Sequence, residues 1–69
     1  MNLQELIGKR VAELRKEKGI SQQKFADDAG LERSHLTNIE NGNNNISIST
    51  LEKILSTLDI SASEFFNTK

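Results

Sequence analysis

Sixty-nine residues of 7.7 kDa, without Cys or Pro, leave room for one small core and no disulfide or thiolate metal site. No apolar run exceeds two residues, so neither a membrane span nor a secretory leader is encoded, and a cytoplasmic location is expected. Nine Lys and Arg against ten Asp and Glu give a net charge of -1, which excludes a globally basic surface and leaves charge placement as the informative quantity. Through His35 the chain carries Lys9, Arg10, Arg15, Lys16, Lys18, Lys24 and Arg33. Only Lys53 and Lys69 follow.

The apolar spacing is helical throughout and predicts five helices in one domain over 1–69. Leu3, Leu6, Ile7, Val11 and Leu14 recur at three- and four-residue steps over about 3–18, with Asn2 and Glu5 as a capping box and Gly19 as the stop. Ser21 caps a second helix, 22–29, whose buried side is Phe25, Ala26 and Ala29. Gly30 ends it, Leu31 plugs the turn, and a third helix over 33–41 turns Leu36 and Ile39 inward before Asn41-Gly42. The stretch from Gly42 to Ser47 is a polar loop. A fourth helix, 48–58, is capped by Ser47 or Ser49, and its apolar face of Leu51, Ile54, Leu55 and Leu58 is wider than one neighbour requires. The last, 62–67, starts with a Ser61–Glu64 capping box and an Ile60–Phe65 staple. Consecutive residues on a helix diverge by about 100°, so Phe65 and Phe66 cannot both enter one core.

Two short helices joined by a tight turn are the informative part. Ala26 permits a close crossing and Gly30 the positive φ the turn needs, a helix-turn-helix geometry that frees the start of the third helix to enter the DNA major groove. Arg33, Ser34, His35 and Asn38 then lie outward, and Thr37 adds a hydroxyl and a methyl. Arg33 can donate two bonds to guanine O6 and N7, its plain alternative being a solvated charge; Ser34 and Asn38 can meet base edges or phosphate, and the Thr37 methyl can touch thymine. His35 has no second His or Cys with which to share a metal, so no metal or other cofactor is expected, and it is a DNA contact or a surface ring. Gln22 and Gln23 open the second helix, where free N–H groups favour a phosphate. Arg10, Lys9 and Lys24 are phosphate contacts or solvated charges.

The segments Ser21-Gln22-Gln23-Lys24-Phe25-Ala26, Gly30-Leu31-Glu32-Arg33-Ser34-His35-Leu36, Ile39-Glu40-Asn41-Gly42 and Thr50-Leu51-Glu52-Lys53-Ile54 resemble the Cro and phage-repressor type (XRE-like) of helix-turn-helix transcriptional regulator. The resemblance covers nearly the whole chain. It implies an all-α, compact five-helix lambda-repressor-like fold, and the small size with Leu-Glu-Arg-Ser-His looks most like the controller proteins of restriction-modification systems. It further implies that Gln22 and Asn41 hold DNA phosphates, Asn41 having helix termination beside Gly42 as its equal alternative, and that Arg15 and Glu40 form a structural ion pair; Asn43 is a further candidate phosphate contact. Asp27 matches the place where related activators touch the polymerase sigma subunit, a surface charge being the plain alternative. The stretch Asn43-Asn44-Asn45 departs from the basic residues often found there.

No Cys, no Tyr, no phosphate loop and a lone His leave no catalytic constellation, so an enzyme is not expected. Two classes remain: a regulator binding a palindromic operator in double-stranded DNA as a homodimer, and a protein-interaction module of antitoxin-like or adaptor type. The second should carry an apolar stripe on the outer face of helix three, where this sequence places polar donors. Ile48, Leu55 and Phe66 are the expected contacts between the two copies.

Overall fold

A computed structural model describes residues 2–43 and 45–67, so Asn44 of the asparagine stretch lies outside the described residues. The described residues form five helices and no strand: α1 (Leu3–Glu17), α2 (Gln22–Ala29), α3 (Arg33–Glu40), α4 (Ile48–Leu58) and α5 (Ala62–Phe65). Local chemistry explains most of the boundaries. Asn2 and Ser61 head reciprocal capping boxes with Glu5 and Glu64, while Ser21 and Ser47 accept from the N–H groups of Lys24 and Thr50.

The ends of α1 to α4 share one device. Gly19, Gly30, Gly42 and Asp59 are left-handed, at φ of 70°, 70°, 74° and 57°. In each case the next residue's N–H reaches back to a carbonyl five residues earlier: Ile20 to Arg15, Leu31 to Ala26, Asn43 to Asn38 and Ile60 to Leu55. Three of the four trailing residues are apolar and pack on the core, so the stop also anchors the turn. Expected ends at Lys18, Asn41 and Asn67 overshoot by one or two residues. Lys18 and Asn41 serve as caps, and beyond Phe65 the Asn67 N–H bonds the carbonyl of Glu64, three residues back, which tightens the last turn out of the α-helix.

Among the described residues Asp59 is the one left-handed residue with a side chain, a conformation costing about 1–2 kcal/mol for most L-residues and less for Asp. Asp59→Gly is expected to raise stability by about 0.5–1 kcal/mol, seen as a higher urea midpoint with unchanged slope. A lower midpoint would show that the Asp59 side chain contributes more than its backbone strain removes.

The core gathers Ile7 and Val11 from α1, Phe25, Ala26 and Ala29 from α2, Leu36 and Ile39 from α3, Ile54 and Leu58 from α4, and Phe65 from α5. Each large side chain among them contributes roughly 1.5–3 kcal/mol by leaving water. Leu14, Ile20, Leu31, Leu51, Leu55 and Ile60 pack around the rim. Leu3 departs from its expected place in the apolar series of α1: it is 62% exposed. Phe65 is fully buried while Phe66 is 40% exposed, their rings edge to face at 5.0 Å.

One packing contact has no counterpart in the sequence reading. Gly8 faces α3 so closely that a Cβ there would overlap the Ile39 carbonyl oxygen. The α1 and α3 backbones touch at this point, which sets the angle at which α3 leaves the core.

Candidate nucleic-acid interface

The pair α2 and α3 is held by the buried methyl of Ala26, by Phe25 and by the left-handed turn at Gly30. With Leu36 and Ile39 buried, the opposite edge of α3 leaves Arg33, Ser34 and Asn38 exposed, flanked by half-buried His35 and Thr37. Arg33 forms no ion pair with the described residues. Alone among the five helices, α3 has no side-chain cap: Glu32 precedes it in extended conformation without bonding the first turn. The N–H groups at this end face outward with the partial positive charge of the helix dipole.

Beneath this edge runs a chain of four polar side chains. Arg15 and Glu40 meet in a two-pronged ion pair, Nε to Oε2 at 2.7 Å and Nη2 to Oε1 at 3.0 Å. The remaining Arg15 prong donates to the Ile20 carbonyl at 2.8 Å, so one guanidinium ties α1, the first turn and α3 together. Gln22 Nε2 donates to Glu40 Oε1 at 3.0 Å, and Thr37 donates to Gln22 Oε1 at 3.3 Å. The Arg15 guanidinium is held above its ordinary range, chiefly by the hydrogen bond to Glu40, with burial opposing and the Glu40 charge adding. Among the described residues no buried side-chain polar atom lacks a partner.

The other expected contacts are distributed as follows. Gln22 is half-buried with its amide engaged inward, one amide hydrogen remaining available. Gln23, exposed, donates to Asp27, also exposed, at 3.0 Å. Lys24 pairs with Asp28 at 3.3 Å on an open surface, a contact of small energetic weight. Asn41 and Asn43 are exposed at the far end of α3, and Lys9 is exposed on α1. Arg10, expected among the phosphate contacts, has a different employment: Nε donates to the Phe65 carbonyl at 3.0 Å and Nη2 to that of Glu64 at 3.3 Å, clasping the open carbonyl end of α5. No local pattern marks this role, because its partners lie 55 and 54 residues away.

On another face, an open apolar groove is lined by Leu3, Ile7, Ile46, Ile48, Leu51 and Phe66. It contains all three large exposed apolar side chains of the described residues: Leu3, Ile48, which is 76% exposed, and Phe66. Ile48 and Phe66 were expected to act together and do share it. Leu55 is not part of this groove and packs against the core instead. Leu3, Ile46 and Leu51 were missed, since only the folded chain brings the start of α1 beside the start of α4. No cluster of three His, Asp or Glu suited to a metal occurs among the described residues, and none of their helices is long and apolar enough to cross a membrane.

A protein-family model described as a helix-turn-helix domain matches residues 8–69. The chain belongs to the helix-turn-helix family of transcriptional regulators. Its relatives include the control protein C.MunI of Mycoplasma sp, 44% identical over 62 residues that cover 88% of this chain and 84% of that protein. Another is the HTH-type transcriptional regulator PuuR of Escherichia coli (strain K12), 42% identical over 60 residues that make up 87% of this chain but only 32% of that protein. Among solved structures, the restriction-modification controller protein C.AhdI from Aeromonas hydrophila aligns with a TM-score of 0.86 and 38% identity, over 91% of this chain and 96% of that one. The controller protein C.Esp1396I, solved as a tetramer with its natural 35-base-pair operator, aligns at 0.88 and 30% identity over 96% and 87%.

Proposed function

We propose that this helix-turn-helix chain binds double-stranded DNA in a sequence-specific way as a homodimer on a palindromic operator, and that it controls transcription of a restriction-modification locus in the cytoplasm. The observation that carries this reading is the outer edge of α3, where exposed Arg33, Ser34 and Asn38 stand on a helix whose first-turn N–H groups have no side-chain cap. A groove reader needs donors there; a protein-binding helix needs an apolar stripe, which this edge lacks. The similarity to C.MunI, C.AhdI and C.Esp1396I supports the narrower assignment to a restriction-modification locus.

One α3 touches too few bases to locate a site in a genome, so two copies are required, with half-sites about 10 base pairs apart. A footprint of the purified chain on its own upstream region tests this directly. Protection of two related half-sites one helical turn apart is expected, lost progressively as salt rises. Arg33→Ala should weaken operator binding by about 1–3 kcal/mol without lowering the melting temperature, because its side chain is exposed and free of ion pairs among the described residues. Equal affinity for operator and random duplex at moderate salt would refute specific reading.

The groove between the starts of α1 and α4 supplies the surface for the second copy. Ile48→Asp places a charge on its wall and is expected to shift sedimentation from dimer to monomer while leaving the circular dichroism unchanged. A dimer persisting in Ile48→Asp at micromolar concentration would move the interface elsewhere.

A further inference from the structure

The polar chain beneath α3 has a direction as well as a geometry. Glu40, in the grip of Arg15, offers only acceptor oxygens. The end of the Gln22 amide 3.0 Å from Glu40 Oε1 is therefore its NH2, because two oxygens there would repel. The other end, Oε1, faces the Thr37 hydroxyl at 3.3 Å and can only accept, so Thr37 must donate. A hydroxyl has one hydrogen and two lone pairs. With its hydrogen committed inward, Thr37 can present only lone pairs and its methyl to anything approaching α3 from outside.

Thr37 lies four residues after Arg33 and three after Ser34, which puts it on the same side of α3 as the exposed edge. We infer that Thr37 reads DNA as an acceptor: it selects an exocyclic amino group, adenine N6 or cytosine N4, on the strand it faces, and Arg15, Glu40 and Gln22 are positioning residues that set this polarity. Guanine offers only acceptors on its major-groove edge, and thymine an acceptor and a methyl, so neither can give Thr37 a hydrogen bond. One such bond corresponds to about a fivefold preference for A or C at that position. The inference rests on the DNA-binding reading of α3, but the polarity itself belongs to the free protein.

Two measurements on the purified full chain separate the two. In the free protein, hydrogen exchange of the side-chain amides by NMR should show Gln22 exchanging more slowly than a free glutamine amide; an equal rate would overturn the polarity chain. The second measurement selects binding sites from a pool of duplex DNA with a randomised central segment. Wild type and Thr37→Ser, which keeps the hydroxyl, should both recover sites with A or C at one position repeated in each half-site. Thr37→Val, of nearly the same shape, should lose that roughly fivefold preference while keeping the rest of the motif. A Thr37→Val motif identical to wild type, or G or T at the position affected, would overturn the inference. Slow Gln22 exchange with no motif recovered by wild type would overturn the DNA-binding reading, and Thr37's role in base selection with it.

Discussion

Gly8→Ala is expected to cost about 3 kcal/mol or more, although it adds one methyl group to a helix interior where Ala is ordinarily favoured by about 1 kcal/mol. The added Cβ would overlap the Ile39 carbonyl oxygen and lie only 3.0 Å from the Glu40 oxygen and 3.1 Å from its carbonyl carbon. All three obstacles are backbone, so no rotamer change relieves the clash and α3 itself must move. For a domain of this size the melting temperature should fall by at least roughly 10 °C, read from thermal circular dichroism. Because α3 carries Arg33, the displaced variant should also lose operator affinity under conditions where it remains folded. A melting temperature at or above wild type would show that α1 and α3 are not in backbone contact at this point.

The second large effect is expected at Arg15. Its side chain is 9% exposed and that of Glu40 6%, so removing one partner strands a buried charge. Arg15→Met should destabilise by about 3–5 kcal/mol. Replacing both, Arg15→Met with Glu40→Leu, should recover most of the loss, since the cost of a broken buried pair lies mainly in the charge left behind. Urea unfolding of the two singles and the double gives the coupling. If the double were no more stable than Arg15→Met, the pair's effect would lie elsewhere, in the bond from Arg15 to the Ile20 carbonyl. The raised Arg15 value also has a consequence for pH: its contribution is fully present below the unfolded guanidinium value and lost only as pH rises through the folded one. Stability should therefore show no Arg15-linked change between pH 6 and 9, a range lying far below any arginine titration.

What could be read from the sequence was what a few neighbouring residues decide. The Asn2–Glu5 and Ser61–Glu64 boxes, the Ser21 cap and the glycine stops at 19, 30 and 42 act over four to six residues, and so they show as spacing. Burial of Phe25, Ala26, Leu36 and Ile39 followed from helical period, and with it the exposed face of α3. What could not be read depends on approach between distant segments. Gly8 resembles any helix-weakening glycine until α3 is laid against it. Arg10 looks like a surface cation until α5 ends beneath it, and Leu3 looks like core until the folded chain leaves it on the wall of an open groove. Asp59 carries no stop signal as strong as a glycine, yet the loop to α5 requires the same left-handed turn. The inward use of Gln22 was hidden for a related reason: a glutamine at a helix start suits a phosphate or a buried carboxylate equally, and only the folded position of Glu40 distinguishes them.

The left-handed stops of α1 to α4 have an evolutionary corollary. Because Gly30 and Gly42 set the frame of α3 from outside its length, the solvent-facing letters at 33, 34 and 38 are decoupled from folding and can be rewritten as a cassette. On the proposed reading of DNA by α3, a lineage built on such a frame can acquire new target preferences by exchanging a few side chains, with the scaffold inherited intact.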